Sequence, residues 1–132
     1  MTQLGIAVSG GPNPSEIVEL VALAEKLGYQ SAWVAEGHGG DQFSVLSGCA
    51  MATSSIQLGT AISSVYVRSI PTIAMAAATV DDLSKGRFIL GLGSSHRVQV
   101  VPEHGVEYTK PITRLRESVE IIRMLLQTGQ AQ

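Results

Sequence analysis

The chain has 132 residues, 45% of them hydrophobic and 15% charged, a composition that suits one domain with a buried sheet and not a disordered chain. A formal net charge of -2 leaves no basic face to neutralise phosphates, so neither nucleic acid nor an acidic membrane is expected as a partner. Cys49 is the one cysteine, so an internal disulfide and a cysteine metal cluster are excluded, and no metal is expected.

Residues 4–8 form the first apolar run and lead into Ser9, Gly10 and Gly11. A helix should follow, with Asn13 as cap, Pro14 at the first helical position and Glu16 at capping-box spacing. Ile17, Leu20, Val21, Ala24 and Leu27 share one face of it, and Gly28 should end it. A second strand is expected over 31–35 with Trp33 in the core, then Glu36, Gly37, His38, Gly39, Gly40 and Asp41. Asp41 reads as the cap of a helix over 43–53, within which Cys49 suits a small buried thiol. A third strand is expected over 56–63. Pro71 opens a third helix whose Ala74, Ala76, Ala77 and Ala78 would let it lie close to a sheet. Ser84, Lys85 and Gly86 make a tight turn into a fourth strand over 87–92. After an irregular stretch, Ile112, Leu115, Val119, Ile122 and Leu126 mark the apolar stripe of a final helix.

The order is βαβαβαβα, with strands too uniformly apolar to have a wet face, and such strands belong to a parallel sheet covered by helices. The fold class is therefore α/β. A doubly wound open sheet and part of a (β/α)8 barrel both fit, and four β/α units are close to half of a barrel of about 250 residues. The sequence reads as a single domain over 1–132. No basic leader with an apolar run is seen at the start, and no apolar run approaches a membrane span, so a cytoplasmic protein is expected.

In either architecture the ligand site lies at the C-terminal ends of the strands. Gly, His, Glu, Asp and Arg gather there, whereas the opposite loops 28–30, 53–55 and 84–86 hold turn-formers. Glu36 and His38 could bind a polar substrate or move a proton near neutral pH. Arg68, just ahead of a helix start, opposes the helix dipole unless an anion or carboxylate compensates, so it is a candidate for a phosphate or acidic ligand or for a salt bridge. Gly91, Gly93, Ser94 and Ser95 lack the spacing of a dinucleotide loop, and close approach of a flat ring to backbone explains the glycines better. His96 and Arg97 could line the same mouth. Glu103, His104 and Glu107 are expected in a solvated loop.

Several of these segments together resemble the N-terminal part of the luciferase-like flavin and deazaflavin oxidoreductases. They are residues 24–29 (AEKLGY), 33–41 (WVAEGHGGD), 58–61 (LGTA), Arg68 to Pro71, and 84–93 (SKGRFILGLG), with 114–117 (RLRE) in the last helix. The likeness is closest to the branch using coenzyme F420. It implies the first half of a (β/α)8 TIM barrel, cut short of the whole. It also implies hydride transfer between coenzyme F420 and a small organic substrate. Flavin mononucleotide (FMN) with monooxygenase chemistry, and a non-catalytic half-barrel or assembly module, are the alternatives. The resemblance makes Glu36 and His38 catalytic candidates at the ring or substrate side. It places Ala61, Ile62, Ser63, Gly91, Gly93, Ser94 and Ser95 near the cofactor, with Arg68 and His96 as anion or substrate candidates. It further implies a non-proline cis peptide at Ala61-Ile62. In this family the cofactor phosphate is gripped after the seventh and eighth strands, and Gly10-Gly11 is the nearest substitute here. Open apolar edges at the first and fourth strands imply a homo-oligomer or a missing C-terminal half.

Overall fold

The structure is a computed structural model that describes residues 2–9, 11–37 and 39–128. Among the described residues the elements, in chain order, are β1 (Gly5–Val8), α1 (Pro14–Lys26), β2 (Ser31–Val34), α2 (Gln42–Ala52), β3 (Gln57–Thr60), β4 (Ser63–Ser64), α3 (Ile70–Leu83), β5 (Phe88–Ile89), β6 (Leu92–Gly93), α4 (Arg97–His104) and α5 (Pro111–Gln127). The main sheet has the order β1-β2-β3-β5, and every pairing in it is parallel. β4 and β6 form a separate two-stranded ladder. The α/β class and the succession of parallel strands and helices expected from the sequence are borne out. The described residues fall into two compact units, 2–63 with 79–91, and 64–78 with 92–128.

Local chemistry sets the helices of the first unit. The Glu16 carboxylate accepts from the Asn13 backbone N–H at 3.4 Å, and Pro14 opens α1 where its missing N–H costs nothing. At the other end, Gly28 takes φ +89° and donates to the Glu25 carbonyl, while the Tyr29 N–H reaches the Ala24 carbonyl. Those two bonds are a Schellman ending, and they turn the chain directly into β2. Asp41 caps α2 by accepting from the Ser44 N–H at 2.9 Å and the Ser44 hydroxyl at 2.7 Å. Ile17, Val21 and Ala24 of α1 are buried, as are Phe43, Val45, Leu46, Cys49 and Ala50 of α2. The Cys49 thiol is fully enclosed, and burial pushes its pKa up to about 11, so it is the inert core thiol expected.

Two long-range polar clamps fix the N-terminal rim of this sheet. The Glu25 carboxylate accepts from the backbone N–H groups of Ser54, Ser55 and Ile56 and from the Ser55 hydroxyl. Burial works against its charge, but those donors outweigh it and hold the pKa at about 2, below the ordinary 4.5. The carboxylate's contribution to stability is thus complete above about pH 4.5 and is lost as pH falls through about 2. A Glu25→Gln variant should be less stable at neutral pH and show a flatter stability profile between those limits, as urea unfolding at a series of pH values would show. The second clamp is Arg87. Its side chain donates to the carbonyls of Ser84 (2.7 Å), Ile56 (2.8 Å), Ala50 (3.1 Å) and Thr53 (3.1 Å), and to the Thr53 hydroxyl (2.9 Å). In the turn before it, Lys85 and Gly86 both adopt positive φ.

Several expectations need correction. Burial alternates along β2, with Ala32 and Val34 buried and Ser31 and Trp33 half-buried. One sheet face is therefore less covered than a uniformly apolar reading implies. Trp33 stands on that face beside Gly59, donates to the Ser31 hydroxyl at 3.0 Å, and is not a fully buried core residue. The single third strand is broken: β3 stops at Thr60, the Ala61-Ile62 peptide is cis, and β4 follows. The fourth strand is also broken, between β5 and β6. Of the alanines in α3, Ala74 and Ala77 are buried while Ala78 is exposed.

The second unit centres on Val65, Tyr66 and Val100, packed by Ile70, Leu92, Val106, Tyr108 and Leu115. Tyr66 stacks on Tyr108 with ring centroids 4.6 Å apart, and the Arg114 guanidinium lies 4.6 Å from the Tyr66 centroid. Arg114 also donates to the Val65 carbonyl, and the Tyr66 hydroxyl to the Thr109 carbonyl. Burial first, and Tyr108 second, push the Tyr66 pKa up against the lowering effect of Arg114. The stretch expected to be irregular contains α4, so Glu103 and His104 lie on a helix and only Glu107 lies in a loop. Pro102 sits inside α4 and cannot donate a backbone hydrogen bond, which hides the helix from a pattern reading. The buried side of α5 runs through Ser118 and Ile122, whereas Ile112, at 75% exposure, lies off it.

Candidate functional site at the strand ends

In the first unit, the ends of β2 and β3 bring together much of the site expected from the sequence. Ala61 N–H donates to the Val34 carbonyl at 3.0 Å, continuing the parallel pairing one residue past β3. Ala61 is exposed, Ile62 half-buried and Ser63 fully buried. The Ser63 hydroxyl lies 3.5 Å from the Glu36 carboxylate, and its N–H donates to the Gly91 carbonyl at 2.8 Å. Glu36 is half-buried. A carboxylate beside a hydroxyl can accept a proton or orient a polar group, and Ala61 with Ile62 offers small apolar surface to a flat ring.

Gly91 is explained by its own chain. Its N–H donates to the Thr60 hydroxyl at 2.8 Å, and that hydroxyl donates to the Gly91 carbonyl at 2.8 Å. Thr60 thus replaces a backbone ladder where β3 and β5 have both ended. A Cβ on residue 91 would overlap the Thr60 carbonyl oxygen, so this backbone approach by itself requires glycine there.

Gln42 was not foreseen. It is the first residue of α2, a place where a polar side chain ordinarily faces water, yet it is 1% exposed. Its amide nitrogen donates to the Val34 carbonyl at 2.8 Å and to the Ile62 carbonyl at 3.1 Å. Nothing local in the sequence marks it, because both acceptors belong to other elements. Thr60 escaped notice for the same reason.

The remaining candidates lie in the second unit. Arg68 is half-buried two residues ahead of α3, which Ser69 caps through the Thr72 N–H. Gly93 ends β6, and Ser94 and Ser95 are half-buried. Ser95 takes φ +56°, and its carbonyl accepts from the Tyr108 hydroxyl at 3.1 Å. His96 is exposed and heads α4, its carbonyl accepting from the Val100 N–H at 2.9 Å. His38 and Gly10 lie outside the described residues.

Charge placement limits what the first unit can hold. Its basic residues, Lys26, Lys85 and Arg87, sit at the end of α1 and in the turn before β5, on the rim opposite Glu36 and Ala61. Among the described residues, no Lys or Arg of this unit stands at its strand ends. Among the described residues no three His, Cys, Asp or Glu side chains group closely enough to hold a metal ion, and no helix is long and apolar enough to cross a membrane.

Over 116 residues the chain is 38% identical to Rv3520c of Mycobacterium tuberculosis, a protein named for coenzyme F420-dependent oxidoreduction, covering 88% of this chain and 33% of that one. It is also similar to the coenzyme F420-dependent tetrahydromethanopterin reductase of Methanopyrus kandleri, with a TM-score of 0.80 and 28% identity. That match covers 91% of this chain and 39% of the reductase. The fold recurs in the oxygenating constituent of 3,6-diketocamphane monooxygenase from Pseudomonas putida, solved with FMN, at TM-score 0.78 and 16% identity over 91% of this chain and 38% of that one. The chain spans about a third of the length of the curated relatives it matches (33%). The family description that fits residues 1–132 is luciferase-like monooxygenase, and the chain belongs to that family.

Proposed function

We propose that this chain is the ring-supporting N-terminal part of an oxidoreductase that passes a hydride between coenzyme F420 and a small organic substrate. The observation that carries the reading is the group at the ends of β2 and β3: exposed Ala61 and half-buried Ile62, with the Ser63 hydroxyl beside the Glu36 carboxylate. Ala61 and Ile62 would back the ring, and Glu36 would orient or exchange a proton with a polar group of the substrate, with His38 as its proposed companion. Gly93, Ser94 and Ser95 are proposed cofactor neighbours, and Arg68 and His96 proposed contacts for an acidic part of substrate or cofactor. The bound deazaflavin would supply the hydride chemistry, while the protein holds the ring and keeps the substrate against it.

The relatives named for coenzyme F420 support the deazaflavin over the flavin. The FMN-bound monooxygenase of the same fold supports FMN as the second reading. Because Lys26, Lys85 and Arg87 lie on the opposite rim of the first unit, we also propose that the cofactor phosphate is gripped outside that unit, by further β/α units or a second copy. Such partners would also pair the outer edges of β1 and β5. Titration of the purified chain with coenzyme F420 and with FMN, followed by ring fluorescence, tests the assignment. Saturable binding of coenzyme F420, tighter than that of FMN, is expected. Tighter FMN binding selects the flavin reading, and saturable binding of neither overturns both.

A further inference from the structure

Gln42 gives up solvation at a helix start to reach two carbonyls on different elements. One is Val34, the last residue of β2, and the other is Ile62, beyond the end of β3. The Val34 carbonyl already accepts from the Ala61 N–H, so stability alone asks little more of it. Meanwhile the Gln42 Oε1 atom is buried with no hydrogen-bond partner, which is unfavourable in itself. An apolar group of similar shape would remove the orphaned oxygen, but it would also take the donor from the Ile62 carbonyl, so the amide is what holds that carbonyl in place. We infer that Gln42 is a positioning residue: its amide fixes the Ile62 carbonyl against the end of β2, and thereby sets the surface that Ala61 and Ile62 present to the ring. This rests on the ring-supporting reading above, and it adds the residue of α2 that holds that surface in place.

Gln42→Met keeps the length of the side chain, deletes both donors and deletes the orphaned oxygen. The expected variant is folded, with an unfolding midpoint modestly below that of the parent because two carbonyls lose a donor while the orphaned oxygen is removed. In the ring-free protein, its backbone amide resonances should move at residues 61–63 and stay fixed in the turn 84–87. Its affinity for coenzyme F420, or for FMN if that is the ring bound, should fall roughly ten-fold, since a displaced support costs binding and orientation together. The emission of the bound ring should also shift. Unmoved resonances at residues 61–63, or parental affinity and emission, would overturn the inference while leaving the functional reading intact. A variant that cannot fold would make Gln42 a stability residue and overturn it as well. If the parent binds neither ring, the functional reading fails, and the ring-free resonances still decide whether Gln42 holds Ile62.

Discussion

Arg87→Ala should destabilise the chain by about 4 kcal/mol, a large share of the 5–15 kcal/mol typical of a domain. The side chain donates five hydrogen bonds, and three of its acceptors are carbonyls at the end of α2 and just beyond it: Ala50, Thr53 and Ile56. Those groups lie where a helix has run out of its own donors. The positive charge also complements the C-terminal end of the helix dipole. Lysine is no substitute, because a single ammonium cannot reach acceptors spread around a planar fork, so Arg87→Lys should lose more than half as much. Urea unfolding should show a lower midpoint with an unchanged slope. A shift worth under about 1 kcal/mol would mean that water replaces these bonds without penalty.

Gly91→Ala should cost roughly 3 kcal/mol, as forced overpacking against backbone does. The obstacle is the Thr60 carbonyl oxygen, which cannot rotate away as a side chain could. Relief requires β5 to move from β3, and that movement breaks both bonds of the Thr60 hydroxyl. Comparison with Gly86→Ala is informative, because a Cβ on Gly86 meets no atom within 4 Å and its penalty comes from φ +83° alone. Gly91→Ala should therefore be the more damaging of the two in thermal unfolding, and equal midpoints would contradict the close approach.

What was legible in the sequence was local. Asn13, Pro14, Glu16, Gly28 and Asp41 act on backbone within a few residues of themselves, so the helix ends are found where these residues place them. The Ala61-Ile62 cis peptide was implied by family resemblance, and no spacing in the chain announces it. The illegible parts depend on partners far along the chain. Thr60 meets Gly91 across 31 residues, and Arg87 meets Thr53 across 34. The motif containing Arg87 carries part of the family resemblance, yet Arg87 acts on the rim opposite the strand ends. Gln42 looks like any polar residue of a first helical turn until its two acceptors are known. In α4, Pro102 conceals a helix; in α5, the buried Ser118 and exposed Ile112 displace the face that apolar residues alone suggest.

The central claim is that a flavin-like ring rests on the ends of β2 and β3 in the first unit. Following the titration with coenzyme F420 by backbone amide resonances tests it residue by residue. Saturable shifts are expected at Glu36, Ala61, Ile62 and Ser63, with residues 28–30, 53–55 and 84–87 unmoved. Shifts confined to those opposite loops, or no saturable shift with either coenzyme F420 or FMN, would contradict it.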